Sequence, residues 1–165
     1  MLNVHDHSRE SVGMKYIYPV VSRRAGGVSI GISLNTNNAC NWACIYCQVP
    51  NLTRGAAPPV DLKLLEEELR RFLDTATAGD FLAKNVPPEA RRLVDVAFSG
   101  NGEPTSAGEF AEAVSVASRV LDDYKLLPCI KMRLITNGSL MHRAAVRRGI
   151  ALIGSLSGEV WFKID

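Results

Sequence analysis

Three of the chain's four cysteines lie within eight residues, with the spacing C-x3-C-x2-C: Cys40, Cys44 and Cys47. This spacing lets one short loop turn three thiolates toward a common point. Three thiolates suit three irons of a four-iron cluster and leave the fourth iron without a protein ligand, whereas clusters that only carry electrons usually take four cysteines. An open iron can bind a substrate or cofactor, as an open catalytic zinc does.

Two other kinds of site are compatible with the same three cysteines. A structural zinc would need a distant fourth ligand, for which the chain offers His5, His7 and Cys129. A redox-active thiol group is the second alternative. The residues taken alone leave both open.

Length and composition favour one globular domain. The chain has 165 residues, of which 47% are hydrophobic and 22% charged, as is ordinary for a globular protein with a real core. No apolar run reaches the roughly 18 residues that span a membrane, and the N-terminus lacks the basic and apolar regions of a secretory signal. We therefore predict a cytoplasmic location without a membrane partner, which also suits a cluster that oxygen would damage.

The charge is too balanced to indicate a nucleic-acid partner by itself. The formal net charge is +2, although the basic residues include four arginine doublets, at 23–24, 70–71, 91–92 and 147–148. An RNA-binding surface would require these doublets to converge in space.

The strand pattern predicts an α/β fold with about four parallel strands. Apolar, β-branched runs indicate strands at 28–34, 93–98, 131–137 and 160–165. The first strand runs directly into the cysteine loop, which is the layout of a β/α barrel whose chemistry lies at the C-terminal ends of the strands. We therefore predict a partial (β/α) TIM-like barrel at 28–165, preceded by a leader at 1–27 that has one short extended piece at 16–21.

Helices are expected between these strands. Asp61 is a suitable N-cap for the first helix, Ser106 and Glu109 fit a capping box for the second, and Ser139 is the expected cap of the third. Cys129 lies at the start of the third strand, at the end opposite the site, where a buried small hydrophobic residue is the expected role.

The cysteine loop resembles the signature of the radical S-adenosylmethionine (SAM) superfamily, including the aromatic Tyr46 directly before the third cysteine. The segment Ser-Gly-Asn-Gly-Glu-Pro-Thr at 99–105 resembles the group that contains the wyosine-synthesis-like Fe–S oxidoreductases. Asn101 departs from the family's commoner Gly-Gly-Glu, and this departure is seen in the wyosine-like group. The resemblance runs from about residue 28 to the end of the chain.

The resemblance implies an enzyme with a [4Fe–4S] cluster on the three cysteines. SAM would chelate the open iron, and its reductive cleavage would yield a 5′-deoxyadenosyl radical that abstracts hydrogen from a substrate. The sequence does not identify this substrate. The similarity to the wyosine-like group and the scattered arginines suggest RNA as one candidate. An electron donor such as flavodoxin or ferredoxin is expected. The alternative from another class is a non-catalytic iron–sulfur or zinc-binding module, which would not need the Gly-Asn-Gly-Glu segment.

The resemblance also implies which residues bind the cofactor. No catalytic residue is assigned. The expected metal ligands are the three clustered cysteines, and the expected SAM contacts are Tyr46 near the adenine, Gly100, Gly102 and Glu103 at the amino group, and Asn137, Lys163 and Asp165.

The end of the chain leaves an unpaired sheet edge in this fold. Complete proteins avoid such edges, and the last predicted strand has no covering helix. The sequence therefore favours a truncated gene product or a fragment of a longer protein.

Overall fold

The computed structural model describes residues 12–22 and 26–163. In chain order its elements are β1 (Ile17–Ser22), β2 (Gly27–Ile32), β3 (Ala39–Cys40), β4 (Thr53–Arg54), α1 (Leu62–Thr77), α2 (Phe81–Asn85), β5 (Leu93–Phe98), α3 (Phe110–Asp123), β6 (Lys131–Thr136), α4 (Ala144–Ser155) and β7 (Glu159–Phe162), with short 3-10 turns at Pro88–Ala90 and Pro104–Ser106.

The main sheet is mixed and mostly parallel. Its five strands lie in the order β1-β2-β5-β6-β7. The strands β2, β5, β6 and β7 are parallel to one another, whereas β1 is antiparallel to β2. The predicted α/β class and its four parallel strands are therefore confirmed.

The edge strand β1 lies within the segment predicted as a leader. The extended piece expected at 16–21 is confirmed, but it also pairs along its whole length with β2. Pro19 stands in the middle of this strand. Because proline cannot donate a ladder hydrogen bond, a strand that contains it belongs at a sheet edge, and β1 occupies that position.

One face of the sheet is covered by α1, α3 and α4. The first helix begins as predicted, with the Asp61 side chain accepting a hydrogen bond from the amide of Leu64 at 3.0 Å. Its apolar stripe is fully buried against the alternate residues of the strands that point the same way. Each large apolar side chain buried in this layer contributes about 1.5–3 kcal/mol relative to exposure.

The opposite face carries polar side chains from neighbouring strands. The Arg133 guanidinium bonds Asp95 on β5 and Glu159 on β7, and it lies 4.6 Å from the ring of Trp161. Asp95, Arg133 and Trp161 line a groove of about 220 Å³ on this face. Closure of this face into a barrel is not seen in the described strands and stays a prediction.

Three local predictions are wrong. Helix α3 begins at Phe110 with Glu109 at its N-cap and no side-chain capping bond, so Ser106 and Glu109 form no capping box. Helix α4 begins only at Ala144, five residues after Ser139. Cys129 is exposed rather than buried, because it lies in the turn before β6 and not within the strand.

None of the helices in the described part of the chain is both long and apolar enough to cross a bilayer.

Candidate cofactor and metal site

A small two-stranded pairing closes the base of the cysteine loop. The short strands β3 and β4 run parallel, and the amide of Gly55 donates to the carbonyl of Cys40 at 3.0 Å. The amide of Thr53 donates to the carbonyl of Asn38, also at 3.0 Å. The first cysteine therefore stands at a fixed point where the loop leaves the sheet.

The three cysteines fit a cluster in their donor chemistry. Each is a free thiol; Cys40 and Cys44 are half-buried and Cys47 is exposed. The amide of Cys47 donates to the carbonyl of Cys44 at 3.0 Å, which folds the second part of the motif into a turn. Among the described residues, however, no group of three or more His, Cys, Asp or Glu side chains is placed so that it could hold a metal ion. Thiolate sites commonly form together with metal binding.

The two glycines of the Gly-Asn-Gly-Glu segment pack against the stretch of chain that leads from β2 into the cysteine loop. A Cβ on Gly102 would lie 2.2 Å from the carbonyl oxygen of Ala39. Gly100 has a φ of +128°, and a Cβ there would lie 2.3 Å from the Ser33 hydroxyl. Both positions therefore require glycine for packing, whatever their role toward SAM.

Glu103 is buried and has four protein donors. The residue is 2% exposed. It accepts hydrogen bonds from the amide and hydroxyl of Thr105, from the Thr136 hydroxyl at 2.6 Å and from the Asn137 amide at 2.8 Å. Glu103 thus joins the turn after β5 to the end of β6.

Asn137 also faces the cysteine loop, through its side chain. Its Nδ2 donates to Oδ1 of Asn41 at 3.0 Å, and Nδ2 of Asn41 donates to the Ser139 hydroxyl at 2.7 Å. The Ser139 hydroxyl donates to Oδ1 of Asn137 at 2.6 Å. The structure therefore brings Asn137 to the cysteine loop, next to the first cysteine.

The other predicted SAM contacts are partly defined. Tyr46 is 46% exposed on the cysteine loop. The exposed Lys163 lies beside the Thr-Asn-Gly turn, where its amide donates to the carbonyl of Thr136 at 2.8 Å. Asp165 lies outside the described residues.

Charge on the open face of the sheet is balanced locally. Hydrogen bonds from Lys131, and next from Arg133, lower the pKa of Glu159 from its ordinary value of 4.5 to about 2. Asp95, nearly inaccessible to solvent, is paired with Arg133 and with the hydroxyl of Ser29. This network lies toward the starts of β5 and β6, away from the cysteine loop.

Sequence reasoning missed the polar residues that assemble the loop. The buried Asn35 donates to the carbonyl of Ala39 at 2.8 Å and to Ser106 at 3.1 Å, and Asn101 donates to Asn38 at 2.7 Å. Asn41 was also missed. The available signal was the density of asparagines at 35–41, since short amide side chains commonly satisfy backbone groups in irregular loops.

Comparison with known proteins gives distant relatives. No family model matches the chain, and no solved structure was found to match it. A protein named GTPase Obg from Brachyspira hyodysenteriae is 26% identical over 137 residues, which cover 81% of this chain and 17% of that protein. UPF0026 proteins from two strains of Helicobacter pylori are 29% and 28% identical over 134 residues, which cover 80% of this chain and 37% of theirs. The chain thus spans well under half the length of these relatives.

Proposed function

We propose that this chain is a radical SAM protein, with a partial barrel of that type, that holds a [4Fe–4S] cluster on Cys40, Cys44 and Cys47. The supporting observation is that three loops meet at one edge of the sheet. The cysteine loop, the Gly-Asn-Gly-Glu segment and the Thr-Asn-Gly turn follow the parallel strands β2, β5 and β6 and are hydrogen-bonded to one another. Ligand sites of parallel α/β sheets form at this edge.

The cluster, when bound, would supply one electron to SAM, whose cleavage gives the 5′-deoxyadenosyl radical. The chain's own residues would bind and orient SAM. Gly100 and Gly102 are half-buried at the edge, whereas the carboxylate of Glu103 is committed to protein donors. We therefore assign the contact with the SAM amino group to the peptide groups of this segment, and the adenine to the half-exposed ring of Tyr46. We also propose Lys163 and Asp165 as SAM contacts at the end of the last strand.

A non-catalytic metal-binding module is the second candidate, and one observation favours it. The Gly-Asn-Gly-Glu segment was expected to distinguish an enzyme from a metal holder. Because Gly102 packs on Ala39 and Asn101 bonds Asn38, the segment also supports the cysteine loop mechanically. A protein that only holds a metal would have a use for it too.

An RNA substrate has less support. The doublet at 70–71 lies on α1, with Arg70 paired to Glu66 and Asp123. The doublet at 91–92 precedes β5, at the end opposite the cysteine loop, and the one at 147–148 lies on α4. These three doublets occupy separate elements. The electron donor, flavodoxin or ferredoxin, and the cytoplasmic location stay predictions.

The name of the Obg relative does not lead us to propose GTP hydrolysis here. No lysine in the chain follows a glycine, so the phosphate-binding pattern Gly-x4-Gly-Lys-Ser/Thr is absent from the sequence. The match also covers only 17% of that relative.

The test is anaerobic reconstitution with iron and sulfide, followed by electron paramagnetic resonance of the reduced protein with and without SAM. A four-iron signal that changes on addition of SAM is expected, because SAM would bind the open iron. A signal indifferent to SAM would favour the metal-binding module. Zinc binding without any cluster would overturn the proposal.

A further inference from the structure

The side chains of Asn41, Asn137 and Ser139 form a closed hydrogen-bonded ring, which we call the amide clamp. Asn41 donates to Ser139 at 2.7 Å, Ser139 donates to Asn137 at 2.6 Å, and Asn137 donates back to Asn41 at 3.0 Å. Every member both donates and accepts, so the donors all point the same way around the ring. Such a cycle polarises its own bonds and is lost as a unit.

The amide clamp joins two loops that are distant in sequence. Asn41 follows the first cysteine directly, and the other two members belong to the turn after β6, 96 to 98 residues further along the chain. Glu103 holds this turn as well, because its carboxylate accepts a hydrogen bond from the Asn137 amide at 2.8 Å. The clamp therefore fastens the cysteine loop to a rigid part of the sheet edge.

Cys40 is held on two sides as a result. Its carbonyl accepts from the Gly55 amide at 3.0 Å, its thiol lies 3.7 Å from Oδ1 of Asn41, and Asn41 is fixed by the clamp. Cys44 and Cys47 lie further out on the loop, where the turn between them holds each to the other.

We infer that the amide clamp is a positioning device that fixes Cys40 as the anchor on which a cluster is loaded. Asn137 then acts through Asn41 and not by touching SAM, and Asn41 and Ser139 become functional residues of the site. This inference rests on the proposed function, since it presupposes that the cysteines take up a cluster. Its first test, however, needs no metal.

The first measurement is alkylation of the reduced, metal-free full chain with iodoacetamide, followed at each cysteine by mass spectrometry. Replacing Asn41 by alanine should raise the alkylation rate of Cys40 roughly three- to ten-fold, as expected when one or two hydrogen bonds are lost. The rate at Cys129, which lies before β6 and away from the loop, should not change. Asn85→Ala, in the remote helix α2, is the matched control and should change neither rate.

The second measurement tests the ring as a unit. Ser139→Ala should raise the Cys40 rate to a similar extent, and the Asn41→Ala, Ser139→Ala double variant should show no further increase, because either change opens the same cycle. Asn41→Asp keeps an acceptor for Asn137 but loses the donor to Ser139; because this also opens the cycle, it should raise the Cys40 rate as Asn41→Ala does. The Asn41→Asp variant replaces Asn41→Ala in this measurement if the alanine variant does not fold. An unchanged Cys40 rate in folded Asn41 variants, or additive effects in the double variant, would overturn the inference.

The third measurement links the clamp to the cluster. After anaerobic reconstitution, the Asn41→Ala protein should lose iron to a chelator several-fold faster than the wild type, whereas Asn85→Ala should match the wild type. If the wild type takes up no cluster, the proposed function fails, yet the alkylation result still decides whether the clamp holds Cys40. If the wild type takes up the cluster and the Asn41→Ala variant retains its iron equally well, the clamp does not help to hold the cluster and the inference is overturned.

Discussion

The carboxylate of Glu103 accepts a hydrogen bond from the backbone amide of Asn137 at 2.8 Å. One side chain thereby connects the turn after β5 with the turn after β6. Three further donors, from Thr105 and Thr136, share the same buried carboxylate. The acidic residue of the Gly-Asn-Gly-Glu segment is therefore part of the structure of the site edge.

Replacing Glu103 by alanine should lower the free energy of unfolding by about 3 kcal/mol, because several buried donors would lose a charged acceptor. Urea denaturation of the metal-free protein measures this change. Glu67→Ala is the control, since Glu67 forms an exposed pair with Lys63 at 3.8 Å, and its replacement should cost no more than about 0.5 kcal/mol. A loss of SAM affinity with unchanged unfolding free energy would instead make Glu103 a ligand contact.

Replacing Gly102 by alanine should destabilise the protein and loosen the cysteine loop. The new methyl group would meet the Ala39 carbonyl oxygen at 2.2 Å, so the backbone must shift, at a cost of about 1–3 kcal/mol. We expect a lower denaturation midpoint and poorer iron retention after reconstitution. Gly108→Ala is the matched control because no atom of the described residues lies within 4 Å of its added Cβ. Equal behaviour of the two variants would contradict the packing role of Gly102.

Changing any one of Cys40, Cys44 or Cys47 to alanine should abolish the cluster, because two thiolates are too few to hold it. The iron-to-protein ratio and the visible absorbance after anaerobic reconstitution report this loss. Cys129→Ala should load normally, since that exposed thiol lies before β6, at the opposite end of the sheet. Failure of the Cys129 variant to load would assign the fourth cysteine to the metal site.

Stability should fall with pH below about 4.5 because of Glu159. Its pKa is lowered to about 2 in the folded protein, chiefly by Lys131 and then by Arg133. A lowered folded-state pKa contributes stability that is present above the ordinary value of 4.5 and is lost as pH falls toward 2. Denaturant midpoints measured between pH 5 and pH 3 should fall less steeply for Glu159→Gln than for the wild type. Glu89→Gln, at an exposed residue, is the control and should keep the wild-type slope of midpoint against pH. Identical slopes for all three proteins would argue against the lowered pKa of Glu159.

Local patterns were sufficient for the parallel strands of the sheet. The strand predicted at 93–98 has the observed bounds, and those at 28–34 and 131–137 differ from β2 and β6 only at their ends. Asp61 caps α1 as expected. These features depend on the alternation of apolar residues and on one short side chain before a helix, which are properties of neighbouring residues.

Short polar residues were harder to place because they can bond either neighbouring or distant groups. Ser106, expected to cap α3, accepts hydrogen bonds from Asn35 and from the Ala57 amide. Ser139, expected to cap α4, closes the amide clamp with Asn41. In both cases a partner from a distant part of the chain took the place of the local one.

The sequence by itself determined the kind of chemistry on offer, because three thiols at fixed spacing lie in one loop after a strand. Only the tertiary structure decided how that loop is held: Gly102 against Ala39, Glu103 under the Asn137 amide, and Asn41 in a ring with residues of another turn. Parallel strands bring loops that are far apart in sequence to one edge of the sheet. The contacts between those loops therefore form only when the whole sheet forms, and no local sequence pattern predicts them.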